Sequence, residues 1–257
     1  MSTFAIVHRP DGLSESIGDV IRRKMIEEGY KEEPEKPETV FVVGGDGTFL
    51  NAVHHYLDVL DDVRFCGIHT GTLGFYTDYQ DVELNEFISD FLSGKGEEIR
   101  YPLLEVNVDD DTYFALNEMR VENNMHTQTI NVFVDGIPFE TCRGNGLCVA
   151  TQVGSTAYNR SLGGAVIQEG LNLIEMTEIA GIHHSQYHSL EAPIIMRGET
   201  VLQFYSDSYA GTILGIDSDW YPLDKAHAVK VRISPTKGVR MLKGKQVSYF
   251  KRLQSLF

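Results

Sequence analysis

Three cysteines in 257 residues (Cys66, Cys142 and Cys148) are too few for a disulfide framework, and none forms a C-x-x-C pair that would suggest zinc. They are expected as reduced thiols, which points to the cytoplasm. No stretch approaches the ~20 apolar residues of a membrane helix, so no membrane partner is expected. The opening stretch MSTFAIVHRPDG has no basic leader and only a four-residue apolar part, so a secretory signal is not expected either. Cations are also scarce: 22 Lys and Arg face 37 Asp and Glu, for a net charge of −15. Nucleic acid is thereby excluded as a nonspecific partner, because its phosphates need clustered cations. The cations that exist are gathered at one end. Residues 230–257 hold eight of them (Lys230, Arg232, Lys237, Arg240, Lys243, Lys245, Lys251 and Arg252) and no acid. Such a tail either folds back on an acidic body or a subunit neighbour, or helps to hold an anionic ligand.

What is present is ordinary in bulk and distinctive in order. A hydrophobic content of 42% and a charged content of 23% fit a globular protein with one large domain or two modest ones. TFAIVH (3–8) reads as a strand, and Leu13, Ile17, Val20, Ile21 and Met25 recur at helical spacing until Gly29. Val40–Val43 is a fully apolar run of the kind found in a parallel sheet covered on both faces. Leu50, Val53, Leu57 and Leu60 mark a helix, RFCGIHT (64–70) a strand, and Leu84, Phe87, Ile88, Phe91 and Leu92 a helix ended by Gly94. This alternation predicts a Rossmann-like α/β domain over about 1–97, with ligand-facing loops at the carboxyl ends of its strands. Past residue 98 the period becomes two. Ile130, Val132 and Val134 alternate, Asp135-Gly136 supplies a hairpin turn, and LEVNVDDDTYFALNEMRVEN (104–123) reads as two strands. A mostly β domain, a β-sandwich over 98–236, is expected, with one helix near 159–170, and the basic tail, 237–257, is expected to pack back on the N-terminal domain.

The stretch VGGDGTFL (43–50) sits directly behind the apolar run. Glycine there costs conformational entropy and adds nothing to a core, so its use implies a tight backbone path or the close approach of a large group. Backbone donors at Gly44, Gly45, Gly47 and Thr48, with a helix starting near Thr48, suit phosphate oxygens. The GK[ST] ending of a Walker A loop and the G-x-G-x-x-G fingerprint are both missing. What remains is Asp46, an acid among phosphate-binding amides. That suits phosphoryl transfer, with Asp46 taking a proton from an attacking hydroxyl. The plainer alternative is a turn aspartate that caps the next helix.

GGDGTFL after a strand, TGTLGFYTDY (70–79), Asn117-Glu118 and GSTAYNRSLGGAVI (154–167) together resemble bacterial NAD kinases, in order and spacing, over essentially the whole chain. GGDGT by itself also occurs in lipid kinases and phosphofructokinases. The resemblance implies transfer of the ATP γ-phosphate to the 2′-hydroxyl of the adenosine ribose of NAD, giving NADP, with Asp46 as the catalytic carboxylate near that hydroxyl. It implies that Phe75 and Tyr76 line the adenosine end of NAD, and that Asn117, with Glu118 beside it, bonds adenine or its ribose. Thr156, Ala157 and Tyr158 match the adenine-recognition turn. Ser161 matches a residue near the dinucleotide, and Ala180 and Ile182 match positions near the nicotinamide. Asp46 and Gly47 also count among the NAD-binding positions. A homo-oligomer, commonly a tetramer, is implied too, as is Mg²⁺ brought in with ATP.

The chain departs from the family pattern at several positions. Asn145 replaces the usual acid of R-G-D-G, Gln152-Val153 replaces a proline and a hydroxyl, and His69 and Thr72 replace the commoner Asn and His. The first two changes fall at the expected dinucleotide site and motivate an alternative, a catalytically weak dinucleotide-binding regulator of the same fold. His183, His184 and His188 resemble metal ligands only superficially. Adjacent histidines point apart and no carboxylate lies at useful spacing, so no dedicated metal site is expected.

Overall fold

The computed structural model describes residues 2–184 and 187–257, which divide into two compact units. The first is the chain up to Tyr101 joined by Lys237–Phe257, and the second is Pro102–Thr236.

In the first unit the elements are β1 (Thr3–His8), α1 (Gly12–Glu27), β2 (Lys31–Glu32), β3 (Thr39–Val43), α2 (Asp46–His55), β4 (Arg64–His69), β5 (Tyr79–Gln80) and α3 (Leu84–Leu92). Strand β6 (Glu97–Val108) then carries the chain into the second unit. The strand order β2-β1-β3-β4 is parallel throughout, as strand–helix alternation dictates. Every residue of β3 is buried, in keeping with its unbroken apolar run. Helix α1 starts where Asp11 accepts the amide of Ser14 at 3.0 Å, and it ends before Gly29, whose φ of +84° suits glycine. Its Ile17, Ile21 and Met25 pack with Phe4, Phe41 and Ile68 and with Phe87 and Phe91 of α3.

The second unit adds β7 (Asp111–Ala115), β8 (Glu118–Glu122), β9 (Gln128–Val134), β10 (Ile137–Gly144), β11 (Gly146–Thr151), the single-turn α4 (Tyr158–Ser161), β12 (Leu173–Ile179), β13 (Ile194–Arg197), β14 (Leu202–Tyr205), β15 (Ile213–Ile216) and β16 (Asp219–Pro222). Strand β17 (Val229–Lys243) returns the chain to the first unit, where α5 (Tyr249–Gln254) ends it. One sheet runs β13-β12-β11-β8-β15-β16, and β10-β9-β14 pair with the start of β17 in the other. Both sheets contribute to one core, with Val121, Leu147, Val149 and Met176 from the first and Ile130, Val132, Phe204 and Val231 from the second. This is a β-sandwich. Asp135 and Gly136, at φ of +52° and +80°, make the β9–β10 turn at the dipeptide where the sequence places it.

Three local expectations are corrected. Segment 104–123 makes three strands rather than two, because the chain turns at Asp109 (φ +50°) and breaks again at Leu116-Asn117. The helix expected near 159–170 shrinks to Tyr158–Ser161, since Gly163 turns at φ +85° and buried side chains take the amides beyond it: Glu175 accepts from Ala165 and Ser155 from Ile167. Helix α2 begins at Asp46 rather than Thr48 and stops at His55, with a 3₁₀ turn at Leu57–Val59.

Candidate active site

In the first unit the glycines leave β3 and open α2. Gly45 is the N-cap, and Asp46 is the first residue of the helix. The Asp46 carboxylate does not cap its own helix. It reaches across to the segment after β4, where it accepts the amide of Phe75 with both oxygens (3.0 Å each) and that of Tyr76 at 3.2 Å. Gly74 makes this approach possible, because a Cβ there would overlap the carboxylate. Gly44 is bare for a similar reason, with the Thr48 side chain filling its place. Gly45 and Gly47 differ: a side chain at either would meet nothing within 4 Å, so open space lies on the Cβ side of the loop. Burial raises the pKa of Asp46 above that of a free aspartate, against the opposing pull of the two amides, Arg252 and His69.

Gly44, Gly45, Asp46, Gly47, Thr48 and the Phe75-Tyr76 amides are therefore brought together. The ring of Phe75 is half-buried and meets Tyr249 edge-on. The Tyr76 ring is buried, stacked on Phe49 at 4.8 Å and edge-on to Tyr101 at 5.9 Å. Its ring packs the unit, and its amide is the group turned to Asp46.

The second unit gathers the remaining predicted residues in two groups. In the first, Asn117 and Glu118 are buried at the start of β8. The Asp217 carboxylate holds this segment, accepting the amides of Leu116 (2.8 Å), Asn117 (2.7 Å) and Glu118 (3.2 Å). Thr151 braces it from the other side, its hydroxyl donating to the Leu116 carbonyl and its amide to that of Asn117. Gly154 has no room for a side chain against the Asn117 carbonyl, so the turn bearing Thr156, Ala157 and Tyr158 lies directly on Asn117. The Tyr158 amide donates to Glu118, and the guanidinium of Arg120 sits 4.7 Å over the Tyr158 ring. Burial, and then the charge of Asp217, pushes the Glu118 carboxyl up to about 7. Glu118 Oε2 and Arg120 Nε are both buried without a hydrogen-bond partner.

The second group is built on the β10–β11 junction. Asn145 donates its amide to Ile179 O (2.8 Å) and its Nδ2 to Asn123 O (2.7 Å). Ile182 donates to Arg143 O at 2.7 Å, and Ala180 turns the chain at φ +47°. Ala180 lines a cavity of about 260 Å³ with Leu162, Glu178, Gly181, His183 and Glu191. Ser161 is exposed at the end of α4. His183 stands 3.7 Å from Glu178 and 3.8 Å from Glu191, carboxylates that sequence spacing alone did not reveal. Among the described residues no group of three His, Cys, Asp or Glu is placed to hold a metal ion. A larger groove of about 670 Å³ between α1 and α3 is rimmed by Arg23, Lys24, Glu27 and Glu28 and contains none of the predicted residues.

Sequence reasoning missed Asp217, Arg120 and the buried network in which Asn159 donates to Glu175 and accepts from Thr177. Asn159 was visible inside GSTAYN. Asp217 was not, because an acid in a hairpin reads as an ordinary turn residue.

A half-buried acid held by amides beside a glycine loop at a helix start, in a parallel α/β unit, is the arrangement a phosphotransferase needs. Comparison with known proteins supplies the particular kind. The model of the ATP-NAD kinase N-terminal domain matches residues 7–96, and that of the C-terminal domain matches 116–243. An NAD kinase of Latilactobacillus sakei is 35% identical over 258 residues, 98% of this chain and 96% of that protein. One from Lactobacillus helveticus is 46% identical over 165 residues, 62% of this chain and 61% of that protein. The fold is also that of a yeast NADH kinase solved with NADH (TM-score 0.83, 18% identity, covering 100% of this chain and 87% of that one). An Archaeoglobus fulgidus NAD kinase solved with ATP matches at a TM-score of 0.77 and 22% identity, covering 98% of this chain and 99% of that one. The chain belongs to the NAD kinase family.

Proposed function

We propose that the NAD kinase reaction of this chain, which moves the γ-phosphate of ATP to the 2′-hydroxyl of the adenosine ribose of NAD and yields NADP, turns on Asp46 as the proton acceptor. The observation that carries this reading is the Asp46 carboxylate held by the Phe75 and Tyr76 amides beside the open Gly45 and Gly47. A free carboxylate is a poor base for a sugar hydroxyl, so it takes the proton as the bond to phosphorus forms; burial makes Asp46 a somewhat better base. The amides of Gly45, Gly47 and Thr48 receive phosphate oxygens, helped by the α2 dipole, whereas the Gly44 amide, expected from the sequence to join them, is already spent on Ile68 O at 3.0 Å. Mg²⁺ enters as part of the ATP substrate and offsets charge on its phosphates.

For the dinucleotide, Phe75 offers a flat surface and Asn117 a donor and an acceptor for an adenine edge, with Glu118 beside it for a ribose hydroxyl. The turn Thr156–Tyr158 recognises the base. Ser161, Asn145, Ala180 and Ile182 attend the rest of the molecule. The Asn145 side-chain amide is used inside the fold, where a carboxylate would face the Asn123 carbonyl, which gives the departure from the family acid a structural reason. Three buried, free thiols suit a reducing cytoplasm, and a homotetramer follows from family resemblance.

Incubation of the purified chain with ATP, Mg²⁺ and NAD tests the reading, with NADP as the product scored. Asp46→Asn is expected to bind NAD and lose at least about 10²-fold in turnover. Turnover near wild type in that variant removes Asp46 from the mechanism.

A further inference from the structure

The last helix, α5, buries a charge. Arg252 is 1% exposed and is among the largest fully buried side chains of the protein. A buried guanidinium is costly unless engaged, and here both terminal nitrogens find partners while Nε has none. Its Nη1 donates to the carbonyls of Gly74 (2.7 Å) and Thr77 (2.5 Å), and its Nη2 pairs with the carboxylate of Asp78, itself buried. One turn later Ser255 donates to Leu73 O at 2.9 Å. One turn earlier Tyr249 meets the Phe75 ring with centroids 6.3 Å apart. Residues 249, 252 and 255 share one face of the helix, and that face grips segment 73–78. The segment lies between β4 and β5 and has no helix or strand of its own until Tyr79, so these contacts give it its shape. It is also the segment whose amides hold Asp46.

We infer that Arg252 is a positioning residue for phosphoryl transfer: its fork locks segment 74–78 so that the Phe75 and Tyr76 amides aim the Asp46 carboxylate at the acceptor hydroxyl. The inference rests on Asp46 being the proton acceptor. The three bonds are directional, so a lysine cannot reproduce them. The geometry has an electrostatic companion. The groups that favour the charged form of Asp46 are Arg252 from α5, His69 from β4 and the two amides, all acting against burial. Removing the cation leaves Asp46 harder to ionise, and the acidic limb of the rate profile moves to higher pH.

The test uses the full-length enzyme with ATP, Mg²⁺ and NAD. Arg252→Lys keeps the buried charge and loses the fork. Its kcat is expected to fall about tenfold or more, with both KM values within about twofold and the acidic limb in place. The pair variant Arg252→Met with Asp78→Asn leaves no lone charge; its kcat is expected to fall further and its acidic limb to move to higher pH. If the pair variant does not fold, Arg252→Lys decides by the same kcat criterion. Wild-type kcat in Arg252→Lys, or a loss carried wholly by KM, overturns the inference. Asp46→Asn, measured alongside, separates the two readings: full turnover there defeats the role of Asp46, whereas a loss there with intact Arg252 variants defeats only the role of Arg252.

Discussion

Glu118→Gln should make the second unit more stable as the pH rises, and the size of the effect can be worked from the site. Glu118 is 5% exposed, its Oε2 has no partner, and the Asp217 carboxylate lies close enough to accept the Glu118 amide. Burial, and then that neighbouring charge, pushes its carboxyl up to about 7, from the 4.5 of a free glutamate. The sign follows from which state gives up its proton first. Below pH 4.5 both states are protonated and folding carries no penalty. Between 4.5 and about 7 the unfolded chain ionises while the folded one does not, so stability falls as pH rises. Above about 7 the penalty levels off. Each unit of separation is worth ~1.4 kcal/mol, which makes the full penalty about 3–4 kcal/mol. Glutamine has the same shape and never ionises, so the variant escapes the penalty. Urea unfolding at pH 5, 6, 7 and 8, followed by far-ultraviolet circular dichroism, reads the stability. The stability of Glu118→Gln minus that of wild type should climb by about 2–3 kcal/mol over that range, the first part of the penalty being incurred below pH 5. A difference that stays flat, or falls with pH, refutes a raised Glu118.

Asp217→Ala leaves three buried amides without an acceptor and should cost about 3 kcal/mol or more in urea unfolding. A loss under about 1 kcal/mol would mean that the amides find other partners. Gly74→Ala pushes a methyl group into the Asp46 carboxylate; NADP formation should drop by about 10²-fold or more while the circular dichroism spectrum is kept, and unchanged turnover would mean that the carboxylate is free to move. Asn145→Asp, which restores the usual family residue, sets a carboxylate against the Asn123 carbonyl and should lose about 1–3 kcal/mol; a gain in stability would contradict the bond seen here.

The legible parts of this chain are those whose physics is local. The unbroken apolar run of β3 could only be a covered strand, and the spacing of Ile17, Ile21 and Met25 could only be one helix face. The odd placement of an acid among glycines was readable without any structure, because both glycines and acid need a reason to be there. Helix length was less readable. Gly163 and Gly164 sit among good helix formers, yet the amides beyond them go to Glu175 and Ser155, partners 10 and 12 residues distant. The role of Tyr76 was ambiguous in principle: an aromatic beside an acid reads equally as a base platform or as core, and only Phe49 and Tyr101 on either side of its ring decide.

The illegible parts share a cause. Asp217 acts on amides about 100 residues earlier, and Arg252 on carbonyls 175 and 178 residues earlier. A basic tail on an acidic chain reads as bulk electrostatics, and most of its charges do behave that way: Arg240 meets Glu98 at 2.8 Å and Lys245 meets Glu83 and Glu86, all at the surface of the first unit. Arg252 has the same charge in the same tail and a different physics, because burial turns an exchangeable ion pair into a fixed three-way clasp. Composition cannot distinguish the two, and neither can spacing. Residue types that chemistry requires can thus be read from a sequence, but the groups that hold them in place are recruited by the fold from wherever the chain returns.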